Sequence, residues 1–174
     1  MYPMTRPIFV LALLISLISS CANAQQKKSE VAAIEDIRTA FKDINSNNTY
    51  KVEKYTYEAA GCADDGRLEY YLDKQQIVKI KESGSSNDVS STTEYYYRDG
   101  RVFFIYQLIA GGVANGELQK TEFRIYVKDG KAIRFMQGQE IIPVYSKTTN
   151  MMETAVKLLK ARTTKNFKEV LCDN

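Results

Sequence analysis

Between about residue 51 and residue 145, apolar side chains recur at every second position in short runs broken by turn residues, a pattern that predicts half-buried β-strands. Three units repeat at a spacing of about 25–30 residues, the length of a hairpin with its return connection. They are Glu69–Ile80 (EYYLDKQQIVKI), Glu94–Ile105 (EYYYRDGRVFFI) and Arg124–Phe135 (RIYVKDGKAIRF). Asp99-Gly100 and Asp129-Gly130 mark hairpin corners, because glycine takes positive φ at little cost.

The side-chain period selects a turn. A two-residue corner at Asp129-Gly130 would put Phe123, Ile125 and Val127 on one face with Arg134. A three-residue loop, Lys128-Asp129-Gly130, pairs Val127 with Lys131 and aligns Phe123, Ile125, Val127, Ile133 and Phe135 instead. By the same reasoning Lys74-Gln75-Gln76 is the loop of the first unit. The inner residues are then Leu68, Tyr70, Leu72, Val78 and Ile80, followed in the middle unit by Tyr95, Tyr97, Phe103 and Ile105. Lys51–Glu58 adds a strand with Tyr55 and Tyr57 on one face, and Ile141–Tyr145 a short edge strand holding Pro143. The return connections are expected to be polar loops at 59–66, 83–91 and 110–116.

The period changes to helical at both ends. Ser29 caps a helix over Glu30–Ile44 with Ile34, Ile37, Phe41 and Ile44 on one stripe, stopped by Asn45-Ser46-Asn47-Asn48. Asn150 and Glu153 open a second helix over Met151–Ala161 that buries Met152, Ala155, Val156 and Leu159; Phe167, Val170 and Leu171 form a last apolar turn. The expected fold is α+β: an antiparallel meander of about seven or eight strands with N-terminal and C-terminal helices packed on one face.

Ahead of this domain, Ile8–Ile18 is uncharged and too short to span a bilayer core of about 30 Å. Ala22-Asn23-Ala24 then supplies an A-x-A cleavage site. Residues 1–24 read as a signal peptide, 25–29 as a disordered leader and 30–174 as one globular domain. Ile18-Ser19-Ser20-Cys21 resembles the bacterial lipobox, with Ile18 where that pattern usually has Leu. The resemblance implies a second route, lipidation at Cys21, which would tether the domain to the cell envelope; cleavage after Ala24 would release it to the periplasm or beyond. Either route leaves Cys62 and Cys172 as a pair, and an oxidising compartment favours a disulfide between them.

Composition narrows the chemistry. The chain has no histidine, which removes serine–histidine and cysteine–histidine nucleophilic sites and histidine-ligated zinc. A net charge of +3 lacks the basic excess of a nucleic-acid binder. No cofactor motif is present.

Two surfaces are candidates for binding. On the sheet face away from the inner residues, Tyr71, Tyr96, Phe104, Tyr106, Arg124, Tyr126 and Arg134 interleave aromatic rings with arginine, which suits a protein or glycan ligand. Tyrosine is also a good strand former, so the same residues serve equally as ordinary sheet surface; Phe104 alone demands a neighbour or a ligand. At the long-loop end, Asp64, Asp65, Asp88 and Asn115 offer oxygen ligands to a hard cation, without any calcium-binding repeat.

In outline the chain resembles small exported bacterial proteins of unknown function with tyrosine-rich YY–DG–K hairpins, over about residues 30–160. The resemblance brings no functional residues. The expected function is a non-enzymatic binding module of the envelope or periplasm. Its rivals are a hydrolase working through carboxylates and a structural envelope lipoprotein.

Overall fold

The computed structural model describes the backbone of residues 8–86, 88–112 and 117–172, and within these the side chains of residue 25 and of residues from 28 onward. The chain divides into two compact units, 1–36 and 37–174. The first is helical over its described part, so residues 25–29, expected as a disordered leader, lie within helix α1 (Ile8–Ser46). The side chain of Cys21 and those of the rest of the signal segment lie outside the described residues.

The second unit is an α+β domain whose single sheet has eight antiparallel strands in strict meander order. They are β1 (Lys51–Ala59), β2 (Ala63–Asp73), β3 (Gln76–Ser86), β4 (Val89–Arg98), β5 (Arg101–Gly111), β6 (Gln119–Lys128), β7 (Lys131–Gln137) and β8 (Glu140–Ile141). Helices α2 (Ser146–Thr164) and α3 (Phe167–Cys172) follow.

The three hairpins differ from the expected turn and share one design. Asp99 and Gly100 (φ 51° and 71°) and Asp129 and Gly130 (φ 51° and 72°) make two-residue corners; Lys74 (φ 56°) opens the third. The strands pair directly beyond each corner, as in Arg98 with Arg101 and Lys128 with Lys131. One pair further on the register slips: Tyr97 pairs Val102 but Tyr96 pairs Phe104, and Val127 pairs Ala132 but Tyr126 pairs Arg134. In the first hairpin Leu72 pairs Ile77 and Tyr71 pairs Lys79. Val78, Phe103 and Ile133 are thus the extra residues of three equivalent bulges.

The bulge restores the parity that the two-residue corner would have broken. Phe123 and Phe135 accordingly share a face, ring centroids 5.9 Å apart. The bulge residues leave the inner row, where Ile77, Val102 and Ala132 take their places against the core.

That core is a cross-strand row, Tyr70–Ile80–Tyr95–Ile105–Ile125–Phe135, joined by Leu68, Leu72, Tyr97, Phe123 and Val127. Met151, Ala155, Leu158 and Ala161 of α2 and Phe167 of α3 close over it. Burying these side chains supplies about 1.5–3 kcal/mol for each large one. Two inner tyrosines also hydrogen-bond the helix: the Tyr70 hydroxyl donates to the Leu158 carbonyl (2.9 Å) and that of Tyr97 to Ala155 (2.8 Å). Arg162 makes a two-point ion pair with Glu53 of β1 (2.9 and 3.1 Å), and that pairing pushes the Glu53 carboxyl down to about 2.

Several expectations need correction. α2 begins at Ser146 rather than Met151, and its buried stripe is Thr148, Met151, Ala155 and Leu158, so Val156 faces outward. The edge strand is only Glu140–Ile141, since Pro143 has no N–H to extend a ladder. The loops expected at 59–66 and 83–91 are largely strand: Ala59 pairs Ala63 and Ser86 pairs Val89. Finally, the helices do not share a face. α2 and α3 cover the inner one, whereas residues 37–46 of α1 lie on the other, where Phe41 packs edge-on against Tyr96 (5.1 Å) and Phe104 (5.2 Å). The outer face carries its own aromatic row, and that row needs a cover.

Candidate functional site

The aromatic face is therefore largely closed. Tyr96, Phe104 and Tyr126 are 0%, 4% and 2% exposed. Phe104 finds the neighbour it demanded in Phe41. Phe104, Tyr106, Arg124 and Tyr126 do come together, lining a slot of about 310 Å³ with Ile37, Arg38, Phe41 and Glu122. Arg124 is already engaged there: its Nε lies 2.9 Å from the Glu122 carboxylate and its Nη2 donates to the Gly138 carbonyl. The first contact is an ion pair without a well-aimed N–H bond. Tyr71 and Arg134 do not line the slot; Tyr71 donates to Glu69 (2.8 Å) beneath the Lys79 ammonium, 4.2 Å from its ring.

The oxygen-ligand site does not assemble from its described members. Asp65 spends one carboxylate oxygen on the backbone N–H (2.8 Å) and hydroxyl (2.7 Å) of Ser85, while Asp64 is exposed on β2 and Asp88 sits in the β3–β4 corner. Asn115 lies outside the described residues. Among the described residues no three His, Cys, Asp or Glu side chains gather as metal ligands.

Cys62 and Cys172 are joined by a disulfide, Cα atoms 5.8 Å apart, which fastens the end of α3 beside the β1–β2 corner. Next to it lies a chamber that the sequence reading missed. Away from the tight corners, the inner face turns from apolar to polar: Ile80 is followed by Glu82, Gly84 and Ser86, and Tyr95 is preceded by Thr93 and Ser91. The next cross-strand row is Leu68–Glu82–Thr93–Gln107–Phe123. Glu82, Thr93 and Gln107 of this row, with Tyr57, Tyr95, Thr154, Leu171 and the disulfide corner, line a cavity of about 270 Å³.

Glu82 is 8% exposed. The Tyr57 hydroxyl donates to it (2.9 Å), and Thr93 donates a second bond. Gly66 makes room for this arrangement, because a Cβ there would stand 2.4 Å from the Tyr57 ring. Gln107 Nε2 donates to the Thr93 hydroxyl (3.0 Å), leaving Gln107 Oε1 buried without a partner among the described residues. Among the described residues, Glu82 is the only charged side chain lining the chamber. Burial raises its carboxyl above the ordinary range, and the two hydroxyl donors offset only part of that. The signal available in the sequence was a carboxylate at an inner position of β3, two residues beyond Ile80.

The raised carboxyl has a consequence for stability. The folded state holds a proton that the unfolded chain has already released, so this contribution is full below the ordinary carboxylate value and declines as pH rises through the folded value. The stability of the wild type relative to Glu82→Gln should therefore fall as pH rises from the ordinary carboxylate value; urea melts of the two proteins across about pH 4–8 measure the difference.

A second concavity lies at the corner end of the sheet. Gly100, Arg101 and Val102 of one hairpin, Gly130, Lys131 and Ala132 of the next, and the outward side of α2 frame an open groove of about 820 Å³. Val102, Ala132, Val144, Met152 and Val156 make it aliphatic; Arg101, Lys131 and Lys157 place cations on it against Glu153, the one carboxylate among the described residues of its lining. The Thr148 hydroxyl, also in its lining, is buried without a partner among the described residues. Sequence alone could not bring hairpin corners and helix together.

Comparison of the chain with protein-family models, with characterised proteins and with solved structures finds no match. The disulfide is compatible with export, and among the described residues no helix is long and apolar enough to cross a membrane.

Proposed function

We propose that this chain is an exported binding module, not a catalyst, and that its groove between the hairpin corners and α2 takes an anionic amphiphile with a single acyl chain. The aliphatic lining beneath an excess of cations carries the reading. A volume of about 820 Å³ suits a small ligand rather than a side chain. Val156, 53% exposed on a helix that otherwise buries its apolar stripe, is the kind of surface a ligand would cover. The Thr148 hydroxyl offers a donor to a carboxylate head. A binding role also fits the chemistry, since among the described residues no second carboxylate lines the chamber with Glu82 to share acid and base work.

Calorimetric titration with laurate tests this. Binding is expected to fall at least about tenfold in Val156→Glu, which buries no new charge in the core, and in Lys131→Glu, and a cationic amphiphile of equal chain length is expected to bind more weakly. Equal binding of both head-group charges, or laurate binding indifferent to Val156→Glu, would overturn the proposal.

A further inference from the structure

The chamber beside the disulfide supports a second, independent site. We propose that it binds a small primary ammonium ion with a short alkyl chain, held by the Glu82 carboxylate and the orphan carbonyl of Gln107.

Three deficits of the chamber point to that chemistry. The first is charge: Glu82 is more than nine-tenths buried on the core side of β3, and no lining side chain among the described residues supplies a counter-ion. A buried carboxylate is stabilised fully only when paired as well as hydrogen-bonded. The second is hydrogen bonding. Thr93 donates its proton to Glu82, so it accepts from Gln107 Nε2; this fixes the amide and turns Gln107 Oε1 towards no donor. An unmet buried acceptor carries a desolvation cost that a ligand N–H removes. The third is shape. The walls also include the rings of Tyr57 and Tyr95 with Val89 and Leu171, apolar enough for a few methylenes, and aromatic faces attract a cation.

An ammonium group meets all three needs, with three donors and a positive charge. A carboxylate ligand would add like charge beside Glu82 and leave Gln107 Oε1 unsatisfied. An alcohol would satisfy Gln107 and leave Glu82 without its counter-charge. A divalent metal ion finds too few ligands, because no trio of His, Cys, Asp and Glu exists among the described residues. At about 270 Å³ the chamber falls below the size range for drug-sized ligands, which limits the occupant to a short chain.

Linkage sets the pH dependence. The cation favours ionised Glu82, so binding strengthens as pH rises through the raised carboxyl value while the ammonium stays protonated.

The test titrates the mature protein with n-butylammonium chloride, butan-1-ol and sodium butyrate at about pH 5 and about pH 8, following chemical shifts of β3–β5 amides. The expected result is saturable binding of the ammonium alone, several-fold tighter at the higher pH. It should weaken at least about tenfold in Glu82→Gln and less in Gln107→Leu. Folding of both variants is checked by circular dichroism. Absence of saturable butylammonium shifts at either pH would overturn the proposal. So would equal binding of the alcohol, or retention of wild-type affinity in folded Glu82→Gln. Val156→Glu, on the groove, should leave butylammonium binding unchanged, so failure at one site is distinguishable from failure at the other.

Discussion

Reducing the Cys62–Cys172 bond lowers the unfolding free energy by on the order of 4–5 kcal/mol. The bond closes a separation of 110 residues, nearly the whole sheet and both C-terminal helices. A cross-link acts chiefly by restricting the unfolded chain, and that restriction grows with the logarithm of the loop it closes. The native side also suffers, because α3 has six residues and only Phe167 of them is fully buried. Set beside a typical domain stability of about 5–15 kcal/mol, the loss leaves little margin. Urea unfolding followed by far-ultraviolet circular dichroism, with and without reductant, measures it, and Cys62→Ser/Cys172→Ser should reproduce the reduced protein. The denaturant slope should rise, because the open chain exposes more surface than the looped one. Equal midpoints in the two conditions would contradict the expectation.

Phe104→Ala should cost about 3–5 kcal/mol, the range for removing a fully buried aromatic ring. Its ring lies 5.2 Å from Phe41, 5.1 Å from Tyr126 and 5.7 Å from Tyr96, all measured between centroids. Read from the alternation alone, this residue stands on the solvent side and its truncation looks harmless. The packing of α1 residues 37–46 reverses that judgement. For a domain of this size the loss corresponds to a fall in Tm of about 6–20 °C. A wild-type melting curve would show that the ring is not covered as described.

The contrast shows what local pattern can carry. Alternation placed Tyr70, Ile80, Tyr95, Ile105, Ile125 and Phe135 on one side correctly, because side chains in a strand must alternate whatever the rest of the chain does. The pairing of Cys62 with Cys172 followed from counting once export was assumed, and the structure places them within bonding distance. The corners were misjudged for an instructive reason. Parity demanded one extra residue in each hairpin, and a three-residue loop or a two-residue corner with a bulge supplies it equally well. The choice moved Val78, Phe103 and Ile133 off the inner row.

What covers each face was beyond local pattern. Both faces bear tyrosines, and only the placement of Phe41 on one and of α2 on the other decides which rings are buried. The candidate sites suffered most. Asp65 looked available because a serine twenty residues away could not be seen to bind it. Glu82 went unnoticed because a carboxylate in a strand ordinarily faces water. The inner position that makes it unusual becomes legible only when β3 is followed past Ile80 to the far end of the sheet.

The three bulges have a wider meaning for how such a sheet can change. Each hairpin corrects its own phase within a few residues of its corner, so no error is handed on to the next. A whole unit could be duplicated or lost and its neighbours would still present the same sides inward and outward, whereas gaining or losing one residue near a corner would turn the rest of that arm inside out.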